Sequence, residues 1–116
     1  MAKGKSFGGM GGGMGGGNIQ QLMRQAQKMQ EQVAQAGEEL DAREYEASSG
    51  GGMVTCKISG KRELLSLTIK PEAVDPEDTE MLQDLVMAAV NEALRLGEET
   101  REKVMAQVTP GMGGLL

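Results

Sequence analysis

Three sets of residues in this sequence have types and spacing suited to chemistry. The run Gly50-Gly51-Gly52 offers a phosphate cradle, the single Cys56 offers a nucleophile, and Lys and Arg side chains set along helices offer a grip on nucleic-acid phosphates. The first two dissolve on inspection. A phosphate loop sits between a strand and a helix N-terminus, usually with Lys and Ser or Thr following. Here the glycines run into Met53-Val54-Thr55-Cys56-Lys57-Ile58-Ser59, an alternating strand pattern, so no helix dipole faces them. They suit a hairpin turn, which needs positive φ. Cys56 shares its phase with Val54 and Ile58 and reads as a small buried hydrophobe, whereas a reactive thiol needs an open, cationic setting.

The chain has no His, which excludes a His-activated nucleophile and a His-bearing zinc site. One Cys allows neither an internal disulfide nor a thiolate cluster. The carboxylates spread over helix starts and wet faces without a pair that converges on a cleft. The expectation is no catalytic residue, no metal, no cofactor and no small-molecule substrate. The chain does not read as an enzyme.

The third set survives. Net charge is −5, which taken alone disfavours a nucleic-acid partner. The distribution is polarised. Lys3, Lys5, Arg24 and Lys28 precede residue 38 with only Glu31 against them, and Lys57, Lys61, Arg62 and Lys70 face only Glu63. The acid concentrates in Glu38, Glu39, Asp41, Glu44 and Glu46, and again in Glu72, Asp75, Glu77, Asp78, Glu80 and Asp84. Toward the end, Arg95, Arg101 and Lys103 mix with Glu92, Glu98, Glu99 and Glu102. On residues alone these charges also fit a solvated helix face with i,i+4 pairs such as Glu99 with Lys103.

Two long helices and a small sheet must position these residues. A first helix is expected from Asn18, an N-cap with Gln21 completing a capping box, to about Leu40. Its apolar positions Ile19, Leu22, Ala26, Met29, Val33, Ala36 and Leu40 alternate spacings of three and four, a coiled-coil-like seam. Three strands follow, around Tyr45 and Ala47, around Val54, Cys56 and Ile58, and around Leu65, Leu67 and Ile69, each with period two. Short turns at Gly50-Gly51-Gly52 and Gly60-Lys61-Arg62 make the sheet an antiparallel meander. A second helix opens at Asp75 as cap with Pro76 in the first helical position, and runs to about Gln107. Its first half is apolar on more than one side.

Length fits one small domain, residues 18–108. Residues 1–17 and 109–116 read as flexible Gly- and Met-rich tails. A lone Cys and the lack of an apolar stretch after Lys3 and Lys5 fit a soluble protein of the reducing cytoplasm. No apolar run approaches the roughly 20 residues that span a bilayer, so no membrane partner is expected. A three-stranded sheet and two helices leave the seam and a second face of the last helix unburied, which points to a homodimer.

The order of a Met- and Gln-rich helix, "LMRQAQKMQEQVAQAGEEL", then Gly50-Gly51-Gly52-Met53-Val54, then Asp75-Pro76-Glu77-Asp78 with Leu82, Ala89, Asn91 and Ala93, closely resembles the YbaB/EbfC family of bacterial nucleoid-associated DNA-binding proteins. The match covers about Asn18 to Val108, and the tails look like the family's. The resemblance implies an α+β protomer of order α-β-β-β-α, a tweezer-like homodimer, a nucleoid location and double-stranded DNA held by projecting helical arms. It carries over no catalytic residue and no sharp contact motif.

A helix of roughly 34 Å, at about 1.5 Å per residue, must overhang strands of roughly 20 Å. If the helices run toward and away from the sheet, their free ends meet. The candidate DNA contacts on those ends are Arg24, Lys28, Arg95, Arg101 and Lys103, with Lys57, Lys61, Arg62 and Lys70 as a weaker second patch. Two aromatics, Phe7 and Tyr45, are too few for a base-stacking platform. The alternative is a protein-interaction or adaptor module, using Met23, Met29, Met81, Met87 and Met105 around an apolar groove between the helices.

Overall fold

In the computed structural model, backbone structure is described for residues 2–109 and side chains for residues 18–109. The order is α1 (Ala2–Ala42), β1 (Glu44–Ser49), β2 (Val54–Ser59), β3 (Leu64–Ile69), a single 3-10 turn (Pro71–Ala73) and α2 (Thr79–Val108). The strands form one antiparallel sheet in the order β1-β2-β3. This is the expected α+β arrangement and meander. Its long dimension is 82 Å against 25 and 19 Å across, because α1 projects beyond the sheet.

Both hairpins follow from turn chemistry. Gly50, Gly51 and Gly52 have φ of 59°, 67° and 94°, a left-handed run that side chains resist. The glycine run is therefore a turn, as its strand context indicates. The β2–β3 turn puts Arg62 at φ 67° and closes through the Arg62 N–H donating to the Ser59 carbonyl at 2.9 Å. β2 is the central strand, and its inward residues Val54, Cys56 and Ile58 are almost fully buried. They meet Ala89 and Ala93 of α2, whose small side chains let the helix backbone approach the sheet. Two strand side chains donate to carbonyls of that helix: Ser49 Oγ to Leu85 at 2.6 Å and Cys56 Sγ to Ala89 at 3.3 Å.

Two expected helix starts differ from the structure. Asn18 does not cap α1, because the helix already runs through it and its neighbours' N–H groups have partners one turn back. The tails expected to be flexible, residues 1–17 and 109–116, fall on the start of α1, where backbone alone is described from Ala2, and on a C-terminal stretch of which Thr109 alone is described. The cap of α2 is Asp78, not Asp75: its Oδ1 accepts the Met81 N–H at 3.2 Å. Asp75 instead opens a turn. Its carbonyl accepts the Asp78 N–H and its Oδ1 accepts the Glu77 N–H, both at 2.9 Å, with Pro76 at the second turn position that its ring favours. Turn and cap share the acidic run, so the helix begins one turn later.

The expected burial also fails at one place. β3 pairs with β2, with Leu67 opposite Cys56 and Ile69 opposite Val54. Cross-strand partners share a face, so Leu67 belongs on the α2 side. Yet α2 lies over β1 and β2, and Leu64, Leu65 and Leu67 remain 51, 48 and 39 % exposed. One helix is too narrow to roof three strands.

Candidate nucleic-acid interface

The described part of α1 divides into a docked end and a free arm. Ala36 and Leu40 are buried, Val33 is half-buried, and Ile19, Leu22, Met23 and Met29 are exposed. Alongside it, α2 ends at Val108, and Thr109 borders one open apolar groove with Ala26, Met29, Gln30, Val33 and Ala34 of α1. The arm therefore continues past the end of its partner helix. The seam read from the sequence is real as a stripe, but this chain fills only its last third.

Arg24 and Lys28 sit on that free arm. Four residues apart, they share one face, about 6 Å apart along the axis at about 1.5 Å per residue. At about 100° per residue, that face lies opposite the stripe of Ile19, Leu22, Ala26 and Met29. No carboxylate occurs between Asn18 and Gln30. Among the described residues, neither cation is within ion-pair distance of a carboxylate. Both are exposed. Their neighbours on the polar face include Gln20, Gln21 and Gln27, which can donate further hydrogen bonds.

The three cations of α2 are placed differently. Arg95 is held by two carboxylates of its own helix, donating to Glu92 at 2.7 and 2.8 Å and to Glu99 at 2.6 Å. The hydrogen bond from Arg95 holds the Glu92 carboxyl below the usual carboxylate range, and the same bond strengthens the hold of Arg95 on its proton. Lys103 shares Glu99 at 3.3 Å and is otherwise the most exposed of the three. Arg101 turns inward, donating to Asp41 Oδ1 at 2.9 Å and to the Gly60 carbonyl at 3.4 Å. Arg95 and Arg101 lie at the level of the sheet, since Gly97 between them packs on Tyr45. The free ends do not meet as a five-residue cluster.

The second patch is also partly committed. Lys57 lies 3.6 Å from Glu44 and Arg62 lies 3.1 Å from Glu98. Lys61 and Lys70 are exposed and have no carboxylate at ion-pair distance among the described residues. Of the five methionines considered for a groove, Met29 alone lines the apolar groove beside Thr109, and Met81 and Met87 belong to the opposite half of α2. Among the described residues, no cluster of His, Cys, Asp or Glu is placed to hold a metal, and no helix is long and apolar enough to cross a membrane.

Sequence reasoning missed the partners of Arg95 and Arg101. The spacing from Glu92 to Arg95 to Glu99 gave a signal for the first. Nothing local signalled Asp41 and Gly60, which are distant in sequence from Arg101.

The model of the YbaB/EbfC DNA-binding family matches residues 14–112. A nucleoid-associated protein of Alkaliphilus metalliredigens is 55 % identical over 112 residues, covering 97 % of this chain and 95 % of its own. One from Acetivibrio thermocellus is 50 % identical over 115 residues, covering 99 and 96 %. The crystal structure of an uncharacterized protein from Helicobacter pylori superposes with a TM-score of 0.66 at 29 % identity, covering 78 % of this chain and 95 % of that one. A family model over residues 14–112 and relatives of 50 to 55 % identity across nearly the whole α-β-β-β-α chain settle the kinship: the chain belongs to the YbaB/EbfC DNA-binding family.

Proposed function

We propose that this protein is a homodimeric nucleoid-associated protein of the cytoplasm that grips double-stranded DNA through phosphates, with no cofactor and no catalysis. The observation that carries the reading is the pair Arg24 and Lys28, exposed, set on a free arm and unpaired among the described residues, with Glu31 the one acid close by in sequence. Phosphate contacts position a protein without reading sequence, so little sequence preference follows. Lys103 is the third contact, weakened by Glu99. Arg95 reaches a phosphate only by leaving Glu92 and Glu99, and Arg101 is engaged by Asp41.

A second copy is the natural cover for the open face of β3. Leu64, Leu65 and Leu67 on an edge strand present apolar side chains that an isolated protomer leaves in water. Pairing two copies there points two arms from one body, and two arms give DNA a cleft.

The test is fluorescence anisotropy on a duplex of random sequence across a salt series. Micromolar or tighter binding that weakens steeply with salt supports the reading. Absence of binding at low salt, or preference for single strands, defeats it.

A further inference from the structure

We infer that Arg101 is a positioning residue: it locks the base of the α1 arm and acts on DNA through the arm's direction, not through contact with a phosphate. The inference rests on the arm being the DNA-gripping element.

Three observations converge at one point. First, the last turn of α1 has no basic residue and carries Asp41, an anion at the negative end of a long helix dipole. The compensating cation comes from α2: Arg101 donates to Asp41 Oδ1 at 2.9 Å. Second, the same guanidinium reaches the Gly60 carbonyl at 3.4 Å. Gly60 in turn donates its N–H to the Arg43 carbonyl at 2.9 Å. A Cβ on Gly60 would collide with the carbonyl of Leu40. The β2–β3 turn is therefore pressed onto the end of α1 with no room between. Third, little else holds the arm. Of the described residues of α1, only Ala36 and Leu40 are buried.

Arg101 thus joins three elements, the end of α1, the β2–β3 turn and α2, at the root of a lever. Arg24 lies about 26 Å from Asp41 along the helix, at about 1.5 Å per residue. A tilt of about 10° at the root moves it by roughly 4 to 5 Å, more than the ~3.4 Å spacing of successive phosphates along the axis of one strand. Small freedom at the base therefore misplaces the basic face.

The roles of contact and clamp predict opposite results for Asp41. If Arg101 grips phosphate, Asp41→Asn frees it and removes a negative charge, so DNA binding tightens. If Arg101 is the clamp, Asp41→Asn weakens binding. A partly exposed ion pair biases an equilibrium by about two- to fivefold. The expected result is that Asp41→Asn and Arg101→Gln each weaken binding by about that factor with an unchanged salt slope. The double variant is no weaker than the weaker single, because the two act as one unit. Arg101→Lys falls between, keeping charge but losing the fork.

A second readout needs no DNA. Spin labels at Gln25 and Glu72, in chains diluted with unlabelled copies, report the arm's distance from the body by pulsed EPR. Both variants should broaden that distribution while circular dichroism stays that of the parent. Unchanged distributions, or a tighter Asp41→Asn complex with a shallower Arg101→Gln salt slope, would overturn the clamp. Distributions broadened in both variants, with a parent that binds no DNA, would uphold the clamp and reject the DNA reading.

Discussion

The proposed covering of β3 by a second copy has a measurable strength. Leu65 and Leu67 are 48 and 39 % exposed in the protomer. Fully burying a leucine is worth about 1.5–3 kcal/mol, so covering the remaining two-fifths to one-half contributes about 1 kcal/mol each. A two-fold axis presents four such residues, which together give roughly 4 kcal/mol, or about three decades in the dimer dissociation constant. The double variant Leu65→Ala and Leu67→Ala should therefore raise that constant by about a thousandfold. Sedimentation equilibrium across a dilution series measures it. The protomer should stay folded, since both side chains contribute little to its own core, and far-ultraviolet circular dichroism at the monomeric concentration checks this. A variant that stays dimeric with an unchanged constant would refute the argument that β3 is covered by a second copy.

Other consequences follow from the same packing. Gly50→Ala should lower stability by about 1–3 kcal/mol, because the new Cβ meets Leu85 Cδ2 at 2.8 Å and the position holds φ 59°; thermal unfolding reads this, and an unchanged midpoint would count against the turn geometry. Asp78→Ala should cost about 1 kcal/mol through the lost cap, and Asp75→Ala less, since it removes a turn bond and leaves the helix start intact. Cys56 should react with iodoacetamide only through opening of the fold, because it is buried and burial pushes its thiol up from the ordinary value of 9.0. The sign for stability follows: with the folded value raised, the thiol's contribution is intact below about pH 9 and falls as pH rises through the folded value. Alkylation as fast as that of the unfolded chain at neutral pH would contradict the core assignment.

Much of the fold was legible because local chemistry and global shape agree. Alternation in Val54, Cys56 and Ile58 marks the inner face of β2, and positive φ at Gly50 to Gly52 makes a hairpin the only use for that run. The helix starts were less legible. Asp75 and Asp78 carry the same side chain three residues apart, and only the turn that Asp75 closes tells which one caps the helix. The exposure of β3 was hidden for a different reason. Leu65, Leu67 and Ile69 alternate like any inner strand, and the width of the covering helix is a tertiary fact. The candidate site shows the same division. Arg24 and Lys28 were legible from spacing along one helix. The inward turn of Arg101 to Asp41 and Gly60 joins residues far apart in sequence, and no periodicity reports such a contact.

The measurement that tests the central claim most directly compares salt slopes on a random-sequence duplex for the parent, Arg24→Gln with Lys28→Gln, and Lys61→Gln with Lys70→Gln. Each phosphate contact contributes about 0.9 to the slope, so removing the arm pair from both copies of a dimer should flatten it by up to about 3.6. The sheet pair should leave the slope nearly unchanged. An arm variant with the parent's slope, or a sheet variant that alone flattens it, would contradict the assignment of DNA binding to the α1 arm.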